Sequence, residues 1–204
     1  MSLASRLQRD WYQGAAWLWL LRPLEALYRG LGALRRWLYR RRLLSSYRAS
    51  VPVVVVGNIT IGGTGKTPVV IALVEALRAA GARPGVVSRG YGGRAPHYPL
   101  VLVAGVSAAE AGDEPLLIFQ RSGVPCAVAP DRPAAVRALE GGDGVDIIIS
   151  DDGLQHYALG RDCEIAVLDS ERGTGNGFCL PAGPLREPVS RLAAVDYVLY
   201  RGSA

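Results

Sequence analysis

The stretch from Val53 to Thr67 constrains the fold of this chain more than any other part of the sequence. It begins with four consecutive valines, a run typical of a parallel strand buried on both faces. The glycines that follow end this strand, and from Thr67 to Ala80 apolar residues recur at the spacing of one helix face. The stretch therefore predicts a strand, a tight glycine-rich loop and a helix, which is the context of a phosphate-binding loop.

The residues of this loop have the chemistry that nucleotide phosphates require. Glycines let backbone N–H groups turn around an anion, and the start of the next helix adds unpaired donors. The Lys66 ammonium can reach the outer phosphates, and the Thr67 hydroxyl can bind Mg²⁺. The usual G-x-x-x-x-G-K-[ST] pattern has glycine where this chain has Thr60. The predicted nucleotide-binding residues are Thr60, Ile61, Gly62, Gly63, Thr64, Gly65, Lys66 and Thr67.

Lys66 is the one lysine of the chain, because the other 22 of its 23 basic residues are arginines. A compact ammonium therefore stands at the one position where it suits the task better than a planar guanidinium. A chain with this single lysine cannot contain the N-K-x-D motif that reads guanine. Guanine specificity, and with it a GTPase, is therefore disfavoured.

From Val51 onward, short β-rich runs alternate with helical stretches, the pattern of a parallel sheet covered on both faces. The predicted fold is α/β, with a sheet like that of P-loop NTPases in residues 51–204. The predicted strands are Val53–Gly57, Gly85–Ser88, Leu100–Val103, Pro125–Ala129, Val145–Ser150, Glu164–Asp169 and Tyr197–Tyr200. The predicted helices are Lys66–Ala80, Glu114–Ser122, Arg132–Leu139 and Glu187–Ala194.

Residues 1–50 differ from the rest in charge and in aromatic content. They hold ten arginines against Asp10 and Glu25, and they contain all four tryptophans. The longest apolar run, Ala15–Leu21, is far shorter than the ~20 residues that span a bilayer. Pro23 should divide the segment into two helices. In the second helix one leucine stripe is flanked by arginines, as in a helix lying on a membrane surface. The stripe is Leu24, Leu27, Leu31, Leu34 and Leu38.

Three interpretations of this segment remain open. It is a peripheral membrane anchor, a pair of helices packed on the protein's own core with a solvated basic face, or a nucleic-acid-binding arm. The apolar and aromatic run Trp17–Leu21 favours the anchor, since a nucleic-acid arm has no need of it. We therefore predict an amphipathic membrane-surface segment at 1–50, anionic lipids as its partner, and no nucleic acid.

Two carboxylates, Asp151 and Asp152, follow the apolar strand that ends at Ser150. The carboxyl ends of parallel strands form the edge at which a phosphate loop also lies, so one of these side chains should face the nucleotide. A carboxylate there can hold Mg²⁺ directly or through water. The alternative is a helix cap or a turn after the strand. We predict the metal role because a phosphate loop lies upstream.

Other candidate groups are less specific when they are considered alone. Asp113 stands before a predicted helix whose first turn contains Pro115, which is a competent N-cap arrangement. The loop at Ser88–Arg94 offers guanidinium groups that could clamp a phosphate, or it is a flexible surface loop. Arg172–Gly177 and Gly183–Pro188 are two further turns, and spacing alone gives neither a catalytic role.

Taken together and in chain order, these motifs resemble the lipid A tetraacyldisaccharide 4′-kinase family. The resemblance extends from the N-terminal segment to about residue 200. It implies an ATP- and Mg²⁺-dependent kinase that phosphorylates the 4′-hydroxyl of an acylated glucosamine disaccharide, as a peripheral protein on the cytoplasmic face of the bacterial inner membrane. No obligate protein partner is implied. The motifs are Val56–Asn58, Gly62–Pro68, Ser88–Gly92, Gly112–Pro115, Asp151–His156, Gly175–Gly177 and Gly183–Pro188.

The resemblance also implies roles for individual residues. Lys66 and Thr67 match the family's phosphate and Mg²⁺ residues, and Asp113 matches its general base for the sugar hydroxyl. Asp151 and Asp152 match the acidic pair near metal and phosphates. Glu187 matches a second carboxylate at Mg²⁺, so the expected metal ligands are Thr67, Asp152 and Glu187.

Family members extend well beyond residue 204, into a smaller lobe with a histidine that pairs with the aspartate matching Asp113. The histidines of this chain, His97 and His156, stand elsewhere. The alternative function is therefore a membrane-associated P-loop module that binds ATP without transferring phosphate.

Overall fold

The computed structural model describes residues 3–142 and 144–202. In chain order its helices are α1 (Leu3–Gln13), α2 (Arg22–Arg40), α3 (Lys66–Ala79), α4 (Ala108–Ala111), α5 (Asp113–Ser122) and α6 (Arg132–Glu140). Two 3-10 helices lie at Ala16–Leu21 and Val189–Ala194. The strands are β1 (Val53–Gly57), β2 (Pro84–Ser88), β3 (Leu100–Val101), β4 (Cys126–Val128), β5 (Ile147–Asp151), β6 (Cys163–Asp169) and β7 (Tyr197–Arg201).

The chain forms two compact units. Unit 1 consists of Met1–Leu44, Asn58–Thr64 and Ala166–Ala204, and unit 2 of Ser45–Gly57 and Gly65–Ile165. The phosphate loop is thus divided, with Asn58–Thr64 in unit 1 and the start of α3 in unit 2. The division of the chain at residue 50, which charge and composition suggest, stays a prediction.

Unit 2 is built on strands in the order β3-β4-β2-β5-β1. The pairs β1 with β5, β5 with β2 and β2 with β4 are parallel. Most valines and isoleucines of the parallel strands are buried, as two covered faces require, whereas Val101 of the edge strand β3 is exposed. Helix α3 packs on β1, β2 and β5, while α6 packs on β2, β3 and β4. The crossovers β1-α3-β2 and β4-α6-β5 run in opposite directions along the sheet, so the usual right-handed connection puts α3 and α6 on opposite faces. The largely parallel sheet with its packed helices confirms the predicted α/β fold class.

Strand β3 departs from the prediction of an all-parallel sheet. It pairs antiparallel with β4, with Leu100 opposite Val128 and Val101 opposite Ala127. The chain from β2 to β3 contains no helix that could carry it over the sheet, so β3 joins the edge in the opposite direction. The helix predicted at Glu187–Ala194 is a 3-10 helix that begins after Pro188, because the residue before a proline is disfavoured in helical conformation.

Unit 1 holds the N-terminal helices together with the phosphate loop residues Asn58–Thr64. This loop lies against Pro184–Arg186: Ile61 N–H donates to the Pro184 carbonyl at 2.8 Å, and Arg186 N–H donates to the Ile59 carbonyl at 2.7 Å. The Asn58 side chain donates to Thr64 Oγ1 at 3.0 Å. Two backbone hydrogen bonds to Pro184–Arg186 and one side-chain hydrogen bond within the loop therefore fix the shape of its first part.

Helix α2 is amphipathic, and its polar face, not its apolar face, packs against the rest of unit 1. Glu25 is 1% exposed, pairs with Arg22 and Arg29, and accepts the backbone N–H of Cys179 at 3.3 Å. Further along the helix, Arg36 pairs with Glu187 at 3.1 Å. Pro23 lies in the first turn of α2, so the predicted break between two helices is found at its start.

Four of the five residues of the leucine stripe of α2 face away from the protein, and the fifth, Leu38, is half-buried. Leu24, Leu27, Leu31 and Leu34 are all exposed, and Leu20, Trp19 and Trp17 are exposed in the preceding 3-10 helix. None of the helices within residues 3–142 and 144–202 combines the length and the apolar content needed to cross a bilayer.

Candidate active site

The start of α3 presents the lysine of the phosphate loop. Gly65 precedes the helix with φ of 75°, a left-handed conformation in which a side chain would be strained, and Lys66 is the first helical residue. The Lys66 side chain is buried, and its Nζ lies 3.4 Å from Asp152 Oδ1. Thr67, the next residue, is half-buried. The first turn of α3 and the end of β5 therefore bring Lys66 and the acidic pair together, as the sequence predicts.

Asp151 is the last residue of β5, and its side chain is fully buried. Its Oδ2 accepts a hydrogen bond of 3.4 Å from the Ser88 hydroxyl at the end of β2. Its Oδ1 has no hydrogen-bond partner in the part of the chain that the structure describes. A buried carboxylate oxygen without a donor is costly, and it marks a position where a cation or a further donor would be stabilised.

The surroundings of Asp151 hold the pKa of this carboxyl well above its ordinary value, at about 6. Burial is the largest cause, and the negative charges of Glu114 and Asp152 add to it, while Lys66 and Arg132 act in the opposite direction. Three acidic side chains therefore share this region with two cations. Clusters of this kind, with one strongly shifted carboxyl, are frequent at functional sites.

The sequence analysis does not predict two members of this cluster, Arg132 and Glu114, as site residues. Arg132 opens α6 and is buried, with Nη2 donating to the Asp151 backbone carbonyl at 2.9 Å and Nη1 to the Ala129 carbonyl at 3.3 Å. Burial lowers its pKa to about 10. An arginine in a first helical turn ordinarily points to solvent, so no local signal reveals it. The position of Glu114 directly after Asp113 was the available signal for that residue.

The oxygen atoms of unit 2 could bind Mg²⁺ only together with oxygens from a nucleotide or from water. Within the described ranges, no three His, Cys, Asp or Glu side chains are grouped so that they could hold a metal ion. Mg²⁺ in nucleotide sites is usually held by one or two carboxylates together with phosphate oxygens and water. The unpartnered Oδ1 of Asp151 and the carboxylate of Asp152 fit this arrangement, with the Thr67 hydroxyl as a further oxygen.

Asp113 is the first residue of α5 and its side chain is exposed. The N-cap is Gly112, and no side chain caps the helix, so the simpler explanation of Asp113 as a cap is wrong. Gly112 adopts φ of 88°, and a Cβ there would lie 2.6 Å from the Tyr91 carbonyl. The glycine-rich loop after β2 is thus packed directly against the turn that presents Asp113.

Glu187 belongs to unit 1, where it is nearly fully buried. Arg36 lies 3.1 Å from its Oε1, and Arg191 lies 3.8 Å from its Oε2. These two guanidinium groups, one from α2 and one from the 3-10 helix Val189–Ala194, fix the position of the carboxylate. The role of Glu187 as a metal ligand stays a prediction, as do the individual roles of the other site residues.

We expect Asp151→Asn to stabilise the protein in the absence of nucleotide and metal. The folded pKa of about 6 exceeds the unfolded value of 3.8, so the ionised carboxylate destabilises the folded state. This destabilisation is complete well above pH 6, and it is absent below about pH 4, where the carboxyl is protonated in both states. At pH 8 the variant should gain up to about 3 kcal/mol in unfolding free energy. Urea denaturation of both proteins at pH 4 and pH 8 measures this, and a gain that is equal at both pH values would contradict it.

Known proteins are similar to this chain in sequence and in fold. A family model described as tetraacyldisaccharide-1-P 4′-kinase matches residues 17–204. The tetraacyldisaccharide 4′-kinase of Azotobacter vinelandii is 60% identical over 204 residues, which cover 100% of this chain and 61% of that protein. That of Aeromonas salmonicida is 60% identical over 196 residues, which cover 96% of this chain and 59% of that protein.

A crystal structure described as the "apo" form of LpxK from Aquifex aeolicus in complex with ATP superposes with a TM-score of 0.79 at 33% identity. The match covers 90% of this chain and 58% of that one. The chain spans about 60% of the length of the curated relatives it matches. It belongs to the tetraacyldisaccharide-1-P 4′-kinase family.

Proposed function

We propose that the protein transfers the γ-phosphate of ATP to the 4′-hydroxyl of a tetraacylated glucosamine disaccharide 1-phosphate, a step of lipid A biosynthesis. The observation that carries the proposal is the buried Lys66 ammonium, 3.4 Å from Asp152, at the start of the helix that follows a phosphate loop. The proposed phosphate acceptor is taken from the names of the relatives, and the proposed phosphate donor from the ATP complex of the Aquifex aeolicus protein.

Phosphoryl transfer requires mainly positioning and neutralisation of charge, and each proposed group serves one of these needs. Lys66 and the loop residues Thr60–Thr67 hold the phosphates. Thr67, Asp152 and Glu187 hold Mg²⁺, which would neutralise charge on the phosphate oxygens. Asp151 is proposed to contribute to the same site through its Oδ1, for which the described residues offer no hydrogen-bond donor and which a cation or a water could bind.

Asp113 is proposed as the general base for the sugar hydroxyl. Its carboxylate is exposed at the first turn of α5, where the absence of a capping role leaves it available to a substrate. A base must come within hydrogen-bond reach of the proton that it removes, and the packing of the loop after β2 against Gly112 limits the movement of this turn.

The N-terminal segment is proposed to hold the protein on the cytoplasmic face of the inner membrane, where an acylated substrate would reside. The support is the exposed leucine stripe of α2 next to the exposed Trp17, Trp19 and Leu20. Apolar side chains of this density gain free energy when they enter the headgroup region, and the neighbouring arginines favour anionic lipids. Neither nucleic acid nor an obligate protein partner is part of the proposal.

Substituting the stripe should weaken binding to vesicles of phosphatidylglycerol and phosphatidylethanolamine. The double variant Leu27→Glu and Leu31→Glu is expected to bind at least about tenfold more weakly, since each buried leucine contributes roughly 2 kcal/mol. The matched control is Ala26→Glu with Ala33→Glu, which adds the same charge at exposed positions off the stripe. Vesicle co-sedimentation measures both. Equal loss in the two double variants would show that charge, not the apolar stripe, governs the effect.

Transfer of labelled γ-phosphate from ATP to the tetraacyl disaccharide in mixed micelles tests the proposed function. Phosphorylated disaccharide, formed by the chain of 204 residues, would support it. Retained Mg-ATP binding without any transfer would instead support the alternative of a nucleotide-binding module at the membrane.

A further inference from the structure

The polar face of α2 contains an arginine, Arg36, that contacts one of the proposed Mg²⁺ ligands. Its Nη1 donates to Glu187 Oε1 at 3.1 Å. The side chains of Arg36 and Glu187 are 20% and 4% exposed, so water competes little for this pair. The second oxygen of Glu187 lies 3.8 Å from Arg191, which is buried. A residue of an N-terminal helix thus helps to set the direction of a carboxylate 151 residues further along the chain.

Glu187 directly follows a segment, Pro184–Arg186, that is hydrogen-bonded to the phosphate loop. Two backbone hydrogen bonds, of 2.8 and 2.7 Å, join this segment to Ile59–Ile61. Its middle residue, Leu185, is fully buried and pairs with Thr60 in antiparallel direction. The backbone that carries Glu187 is therefore bonded to the backbone that forms the first part of the phosphate loop, and both belong to unit 1.

Tyr28 of α2 holds the same segment at the residue next to Glu187. Its hydroxyl donates to the Arg186 carbonyl at 2.9 Å. Tyr28 and Arg36 are separated by roughly two turns of helix, and they contact the adjacent residues Arg186 and Glu187. Contacts at two points fix the orientation of this part of the chain relative to α2 as well as its position.

Contacts of Glu25 dock α2 on the rest of unit 1 independently of Arg36. Glu25 is buried, pairs with Arg29 at 3.4 Å, and accepts the Cys179 N–H at 3.3 Å. Because α2 already has this anchor, its docking does not depend on the pair between Arg36 and Glu187 alone. The proposed role of Glu187 at Mg²⁺ gives that pair a second task.

We propose that Arg36 is a positioning residue for phosphate transfer, which holds the Glu187 carboxylate in the orientation in which it contributes to Mg²⁺ binding. A carboxylate that binds a metal ion is usually itself held by hydrogen bonds, and loss of such a partner typically lowers metal affinity about 10- to 100-fold. A guanidinium group suits this task because its N–H groups form a rigid planar fork. The helix that presents the leucine stripe thus also orients a metal ligand. This inference rests on the proposed function, since it takes Glu187 as a metal ligand.

Calorimetric titration of the whole chain with ATP, once with Mg²⁺ and once with EDTA, tests the assignment. Arg36→Met keeps much of the aliphatic stem and removes the guanidinium group. It should raise the Kd for Mg-ATP about tenfold and leave the Kd for ATP in EDTA unchanged, because only the metal-dependent part of binding uses Glu187. The titration in EDTA also reports whether the phosphate loop of the variant is intact. Arg36→Lys keeps the charge without the fork and should give an intermediate Kd for Mg-ATP.

Arg29→Met is the matched control. Arg29 lies roughly two turns before Arg36 on the same face of α2, and its partner is the other buried glutamate of this face, Glu25. The variant loses the same charge from the same helix but leaves Glu187 its partners, so it should bind Mg-ATP as the wild-type protein does. Vesicle co-sedimentation should give equal binding for Arg36→Met and the wild-type protein, since Arg36 faces Glu187 and not the leucine stripe.

Three results would overturn the assignment. An unchanged Kd for Mg-ATP in Arg36→Met would exclude Arg36 from the site. Equal weakening in Arg36→Met and Arg29→Met would mean that both arginines only dock α2. Equal weakening of ATP binding with Mg²⁺ and with EDTA would mean a general effect on the phosphate loop and not on a metal ligand. Failure of the wild-type protein to bind ATP in either condition would instead refute the proposed function itself, and this inference with it.

Discussion

Lys66→Ala is expected to lower phosphate transfer by at least about 1,000-fold, the range seen when a cation positioned at a transferring phosphoryl group is removed. The Lys66 ammonium is buried beside Asp152, so water cannot replace it easily. The variant also removes the ammonium that lies 3.4 Å from Asp152, which should weaken Mg-ATP binding as well. The γ-phosphate transfer assay measures the first effect and calorimetry the second.

Lys66→Arg is the matched control, because it keeps the positive charge but replaces a compact ammonium with a planar fork. We expect it to bind Mg-ATP better than Lys66→Ala and to transfer phosphate far more slowly than the wild-type protein. A Lys66→Ala variant that transfers phosphate within tenfold of the wild-type rate would refute the role of Lys66. An arginine variant with the wild-type rate would show that charge alone is sufficient.

Asp113→Ala is expected to lower the rate of transfer by about 100- to 10,000-fold while ATP affinity stays unchanged, since a general base acts on the acceptor hydroxyl and not on the nucleotide. The side chain is exposed and caps no helix, so its removal should cost little stability. Single-turnover transfer at saturating ATP, together with calorimetry for Mg-ATP, separates the two quantities.

The neighbouring Glu114→Gln serves as the comparison for Asp113→Ala. Glu114 is also exposed in the first turn of α5, but its charge contributes to the raised pKa of Asp151. Its removal should lower that pKa and leave the transfer rate at pH 8 nearly unchanged. If Asp113→Ala transferred phosphate at the wild-type rate, or if it lost ATP binding in parallel with transfer, Asp113 would not be the base.

Local sequence patterns predict those elements whose apolar spacing directly reflects the face that the element buries. The valine run of β1 and the apolar spacing of α3 reflect the faces that each element buries, and both were found within one residue of the predicted bounds. Asp151 and Asp152 were predicted at the sheet edge because strand direction alone determines which end they occupy.

The remaining features depend on contacts between residues far apart in the chain. Arg132 is buried because the end of β5 offers it the Asp151 carbonyl, 19 residues away. The antiparallel direction of β3 follows from its partner β4, although the absence of a helical pattern between Ser88 and Leu100 was a usable signal. The inward polar face of α2 depends on Cys179 and Glu187, which local periodicity does not reveal.

The inward polar face of α2 makes this helix difficult to replace by another amphipathic helix. Most amphipathic surface helices can be replaced by any other of similar apolar content, because only their lipid-facing side is used. Here three residues of α2 also bind the protein. Glu25 accepts the Cys179 N–H, the Tyr28 hydroxyl donates to the Arg186 carbonyl, and Arg36 pairs with the Glu187 carboxylate. A transplanted helix without those three residues could adhere to lipid, but it would lose its rotational setting about its own axis.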